Sequence, residues 1–195
     1  AHVAVERVVD RFLRLGDGSV VPNCRVEVRH VDRRTENQDR FCVGVATSED
    51  GRRWRKRGEV LGPGAPGTFD EQGAATRTVI RHAGRWLMFY EGVRQGGYRS
   101  IGLAVSDDGL AWRREAGPEP DGSVFAHAPR GSGRWDAFAI GTPCIVPMED
   151  GALRMYYIGF NEVAGSGHDE LSLRHQIGLA LSDSRDPTRW RRHPG

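Results

Sequence analysis

The stretch "IGLAVSDDGLAW", residues 101–112, alternates branched and small side chains, enters an acidic turn and lands on a tryptophan. Ile101, Leu103 and Val105 fall on one side of an extended chain and Gly102, Ala104 and Ser106 on the other, the two-residue period of a β-strand. The second side is nearly bare, which leaves room for another sheet to approach. In "SDDG" the aspartates bond backbone ahead of them and glycine accepts positive φ, so the chain turns back at once. Trp112 then opens the next strand and covers the sheet.

The phrase occurs three times. Residues 43–54 read "VGVATSEDGRRW" and residues 177–190 read "IGLALSDSRDPTRW"; self-similarity of this kind outranks any local motif. It extends upstream, where "FDEQGAATRTVI" (69–80) precedes "GRWLMFYEG" (84–92) and "WDAFAIGTPCIV" (135–146) precedes "GALRMYYIG" (151–159). An aromatic residue and an aspartate open both segments, and a threonine follows six positions after the aspartate, Thr76 and Thr142. Each unit therefore reads as four antiparallel strands, at about 73–81, 85–91, 100–106 and 111–115 in the second and within about 135–192 in the third. The first is assembled from "RVVDRFLRL", "NCRVEVRHV", "FCVGVATS" and "RWRKRG", without the acidic opening.

Four-stranded antiparallel units repeated around an axis are propeller blades. The expected fold class is all-β, a partial β-propeller domain over 1–195 with blades at approximately 1–60, 69–116 and 135–193. About three blades are fewer than the four to eight that close a ring, so the chain reads as part of a longer propeller.

Composition agrees with this class. Of 195 residues, 38% are apolar, and 26 glycines with 10 prolines supply turns. A net charge of +2 gives no reason to expect nucleic acid or an anionic membrane as partner, and no apolar run approaches the roughly 20 residues of a membrane span. Lys56 is the single lysine. Cys24, Cys42 and Cys144 form no CxxC pair and no metal-site spacing. They are expected to be buried, inert thiols, with a Cys24–Cys42 pairing across neighbouring strands left open. No metal and no cofactor is expected, and the oligomeric state is not indicated.

Strand direction separates two ends. The SxDG turns lie at one, while the long segments 59–68, 115–134 and 161–176 lie at the other, where binding sites usually sit. Asp70 and Asp136 start the innermost strands of consecutive blades and are expected to face the axis at that rim. Two carboxylates converging there suit acid–base or nucleophilic chemistry on a glycosidic bond. Glu91 and Glu162 end second strands at the same rim; Glu91 is the expected proton donor and Glu162 a substrate contact. Phe69, Trp135 and Tyr98 are placed to stack on sugar rings, and His175 to hydrogen-bond them. His127, His168 and His175 make no metal spacing. "RRWRKR" (52–57) alternates its charges across a strand and reads as a solvated edge.

The thrice-used phrase, the "FDEQGAATRTV" and "WDAFAIGTPCIV" openings, and "LMFYEG" with "RMYYIG" resemble the five-bladed propeller glycoside hydrolases. That group joins family 43 arabinanases and xylosidases with family 32 and 68 invertases and levansucrases. The resemblance covers nearly the whole chain and implies about three blades of five. It implies an aspartate base or nucleophile, a second aspartate that orients and tunes, and a glutamate acid. Asp70 and Asp136 match the first-strand aspartates by position. Glu91 departs from the pattern, because the family acid opens a first strand and Glu91 ends a second. The invertase Asn-Asp-Pro-Asn-Gly sequence is absent, and the "RDP" at 185–187 lies in a turn at the opposite end. The implied activity is hydrolysis of furanosides or plant-type oligosaccharides, with a carbohydrate as partner. The alternative is a non-catalytic carbohydrate-binding or protein-interaction propeller that has lost the full acid set.

Overall fold

A computed structural model describes residues 4–6, 12–14, 20–22, 26–30, 40–48, 50–161, 174–183 and 186–194. These residues form an all-β molecule of fourteen strands and one 3-10 turn at Gln95–Gly97. The first blade contains β1 (Ala4–Glu6), β4 (Val26–His30), β5 (Arg40–Thr47) and β6 (Arg55–Leu61), each antiparallel to the next. β2 (Phe12–Arg14) and β3 (Val20–Pro22) pair only with each other. The innermost strand described in this blade is thus Ala4–Glu6, while Phe12–Arg14 of the expected 7–15 strand pair in the separate hairpin.

The second blade is the meander β7 (Gly73–His82), β8 (Arg85–Val93), β9 (Arg99–Ser106) and β10 (Arg113–Glu115). The third repeats it as β11 (Ala139–Pro147), β12 (Leu153–Asn161), β13 (Arg174–Asp183) and β14 (Asp186–Arg192). One parallel pair, Phe41 with Gly73, joins the first two blades into a single sheet. Only glycine fits at this joint. Gly73 has φ +128°, and a Cβ there would stand 1.8 Å from the Phe41 carbonyl oxygen.

The central blade is buried on both faces. Towards the third blade it presents Ile80, Leu87, Phe89, Ile101, Leu103 and Val105, which pack against Ile140, Ile145, Leu153, Met155 and Tyr157. Towards the first it presents Ala74, Met88, Tyr90 and Ala104, against Val43 and Leu61. Each large side chain so buried contributes roughly 1.5–3 kcal/mol. The third blade's outer face is open instead: Val146 is 38% exposed, Tyr156 41% and Ile177 77%. In the repeat these three stand where Ile80, Phe89 and Ile101 stand in the second blade.

The repeated turn is built from side chains. Ser106 Oγ accepts from Gly109 N, and Asp108 Oδ1 accepts from Leu110 N and Ala111 N, at 2.8 Å each. Ser48 and Asp50 do the same for Gly51, Arg52 and Arg53. The closing tryptophans donate Nε1–H back into their turns, Trp112 to the Gly109 carbonyl and Trp190 to the Pro187 carbonyl.

Two expectations need correction. The bare face of the opening phrase admits the first blade at Ala104, as expected, but at its glycine an aromatic ring fills the space: a Cβ on Gly102 would lie 2.5 Å from Phe69 Cζ, and one on Gly178 would lie 2.5 Å from Trp135 Cη2. The 115–134 segment is not loop throughout. Phe125 bridges to Ile101, and Ser123, Val124 and Phe125 are all buried. Among the cysteines, Cys42 is free and half-buried, and its thiol is pushed up to about 11 by burial and by Glu59. Cys144 is free and exposed, lying on the open face rather than in the core; Cys24 lies outside the described residues.

Candidate active site

Asp70 and Asp136 have matching surroundings. Asp70 is 1% exposed; Oδ2 accepts from Tyr90 Oη at 2.9 Å and from Arg114 Nε at 2.7 Å, and Oδ1 from Thr68 Oγ1 at 2.9 Å. Asp136 is fully buried; Oδ2 accepts from Tyr157 Oη at 3.1 Å and Arg192 Nε at 2.6 Å, and Oδ1 from Arg134 Nε at 3.4 Å. In both blades, then, a first-strand aspartate meets a second-strand tyrosine and a fourth-strand arginine. Each carboxylate thus takes its partners from the second and fourth strands of its own blade. Each arginine also donates Nη2–H to the linker ahead of its blade, Arg114 to the Gly62 carbonyl and Arg192 to that of Ala126.

The aromatic residues beside these aspartates belong to the same arrangement. Phe69 is buried and stacks on Tyr90 with centroids 5.9 Å apart; Trp135 stacks on Tyr157 at 5.6 Å and an interplanar angle of 17°. Phe69 is thus spent on the core, while Trp135 stays partly exposed beside Tyr157. Burial, the Asp136 charge and the hydrogen bond to it push the Tyr157 phenol up to about 12. Burial and Asp70 raise Tyr90 in the same direction. No sequence position marked these tyrosines and arginines individually. Their signal was the repeat itself, since "FY" at 89–90 matches "YY" at 156–157 and "WRR" at 112–114 recurs at 190–192.

Glu91 lies elsewhere. It leaves the end of β8 on the face turned to the third blade and is 3% exposed. Its Oε1 accepts from Arg99 Nη1 at 2.8 Å, and its Oε2 accepts from the backbone N–H of Thr142 at 3.0 Å. Thr142 sits in a bulge of β11, between Gly141 and Cys144, at φ +51°. Gly141 makes the approach possible: a Cβ there would stand 2.1 Å from Glu91 Oε2. A guanidinium and an amide N–H both favour the carboxylate over the carboxylic acid. Both Glu91 oxygens are thus partnered, while burial works in the opposite sense by penalising the charged form.

Tyr98 follows the 3-10 turn and is flanked by His127 and Phe138, with centroids 5.9 and 6.1 Å away. The Arg130 guanidinium lies 4.4 Å from the Tyr98 centroid and 4.9 Å from that of Phe138. His175 is exposed on β13 and meets Phe160 edge-on at 4.6 Å. Glu162 and His168 lie outside the described residues. Among the described residues no group of three His, Cys, Asp or Glu side chains is arranged to hold a metal ion.

The meanders and their packing define the class: the chain has the fold of the five-bladed β-propeller glycoside hydrolases, as a partial propeller. No family model matches it. Among solved structures it is similar to a family 117 glycoside hydrolase of the marine bacterium Zobellia galactanivorans, with TM-score 0.72 and 18% identity over 94% of this chain and 54% of that one. Fructan 1-exohydrolase IIa from Cichorium intybus matches with TM-score 0.61 and 16% identity, over 87% of this chain and 29% of that one. An uncharacterized protein of Mycobacterium tuberculosis, matched alike in strains CDC 1551 and H37Rv, is 31% identical over 135 residues, 67% of this chain. The chain spans 40% of the length of these curated relatives.

Proposed function

We propose that the protein hydrolyses O-glycosidic bonds of furanosides or plant-type oligosaccharides, and that Glu91 is the carboxylate this chain brings to the reacting bond. The observation that carries this reading is the setting of Glu91, fixed between Arg99 and the Thr142 N–H beside the innermost strand of the third blade. A fixed carboxylate at that place steadies positive charge on the anomeric carbon or takes a proton from attacking water. Asp70 and Asp136 hold their blades in this reading and take no part in the chemistry.

A second reading has its own support. All three acids are buried and already partnered, which favours a propeller that binds carbohydrate without cleaving it. The test uses the full-length protein on aryl arabinofuranosides, xylosides and fructosides. Glu91→Gln is expected to lower kcat by about 10²-fold or more while leaving KM within a fewfold. Unchanged turnover in Glu91→Gln would remove it from the chemistry. Loss of turnover in Asp70→Asn or Asp136→Asn at unchanged Tm would return the aspartates to it. Binding without turnover in the wild type would establish the second reading.

A further inference from the structure

The innermost strands of the second and third blades carry the same irregularity. The β7–β8 register shifts between Ala75 and Arg77, and the β11–β12 register between Gly141 and Cys144. A threonine occupies each bulge, Thr76 and Thr142. Bulges re-aim a side chain and interrupt pairing, and they gather next to active sites. Nearby hydroxyls are used internally: Thr78 Oγ1 donates to the Pro143 carbonyl, and Thr68 Oγ1 to the Ala65 carbonyl. Among the described residues, neither the Thr76 nor the Thr142 hydroxyl has a protein partner. Thr142 is exposed.

Thr142 is also held against its own preference. It is β-branched and precedes Pro143, and both properties steer a residue to extended backbone. Yet its φ is +51°, a conformation that suits glycine or asparagine. The buried Glu91 carboxylate accepts its N–H and so favours this conformation. A solvated bulge residue needs no threonine here, and glycine would be the unstrained choice.

We propose that Thr142 is a substrate-positioning residue. Its hydroxyl, turned out at the bulge, exchanges a hydrogen bond with a hydroxyl group of a neutral sugar, and Glu91 acts on the substrate partly through the backbone it holds. Thr76 offers the same group from the adjoining blade. This rests on the carbohydrate reading above and adds to it a named contact and an uncharged, polyhydroxylated ligand.

The test measures KM, kcat and calorimetric affinity for arabinotriose and 1-kestose on the full-length protein, together with Tm. Thr142→Gly is expected to raise KM or Kd about five- to tenfold, the effect of one lost neutral hydrogen bond, with kcat little changed. Its Tm should stay level or rise, because glycine takes φ +51° freely. Thr142→Ser should remain within about twofold of wild type in affinity. Unchanged affinity in Thr142→Gly overturns the proposal, and so does an equal loss in Thr142→Ser, which would implicate the methyl group instead. Binding without hydrolysis in the wild type would remove the hydrolytic reading and leave the Thr142 result standing on Kd. A wild type that binds neither sugar overturns both.

Discussion

At the scale of single residues, Asp70 and Asp136 each place a carboxylate in the interior. Each is buried against a guanidinium that keeps 24–36% side-chain exposure. Removing one partner of a buried pair leaves the other charge without compensation, which costs about 3–5 kcal/mol when both are fully buried. Solvent at the arginine reduces this, so Asp70→Asn and Asp136→Asn are expected to destabilise the fold by about 2–4 kcal/mol each. Urea denaturation reads the loss as a lower midpoint at unchanged slope. A midpoint equal to wild type would show that the carboxylates do not lock the blades. This role was only half legible beforehand. Residue type and spacing marked Asp70 and Asp136 as a matched pair, but spacing carries no direction. Whether a first-strand carboxylate turns to the axis or across its blade depends on what the second and fourth strands offer it. Those offers, Tyr90 with Arg114 and Tyr157 with Arg192, become visible only when the strands are laid side by side.

At the scale of elements, the phrase at 101–112 was read well because its information is local. Alternation sets the strand, and Ser106 with Asp108 sets the turn within six residues. The parts misread are those decided by distant partners: the ring of Phe69 laid over Gly102, and the burial of Val124 and Phe125 in a segment whose composition suggests a loop. The Glu91–Thr142 bond is of the same kind, linking residues 51 positions apart. The tyrosine–aspartate contacts also set an alkaline limit. Tyr157 titrates at about 12 in the folded protein against 10 for an ordinary phenol, so between these values the folded chain holds the proton more tightly than the unfolded one. Stability from this group is fully present below pH 10 and falls as pH rises towards 12; Tyr90, raised in the same sense, adds to the fall. Thermal scans from pH 9 to 12 should show Tm dropping across this window, and Tyr157→Phe should flatten the drop. An equal drop in that variant would assign the transition to other groups.

At the scale of the molecule, the second and third blades differ in what covers them. Ile101 is fully buried between blades, whereas its repeat counterpart Ile177 is 77% exposed on the open face. Within the chain of 195 residues, Ile101→Asp should therefore prevent cooperative folding, since it buries a charge without a partner. Ile177→Asp should change stability by no more than about 0.5 kcal/mol, the usual range for an exposed position, and raise solubility. Circular dichroism melts of the two variants check this, and comparable losses would mean that the outer face is covered after all.

The aspartate arrangement also bears on how such a molecule is assembled over generations. Tyr90, Asp70 and Arg114 come from one blade, as do Tyr157, Asp136 and Arg192, and each arginine reaches back only to the linker just ahead. A segment running from linker to fourth strand thus carries all the partners its buried charge requires. Such a segment can be duplicated, lost or moved along a gene without stranding an ion in an apolar core. Ties that cross between blades, such as Glu91 to Thr142 and Phe89 to Trp190, must be rebuilt after each event. Selection then acts on those crossings, and paralogues that share every clasp are free to differ in what they bind.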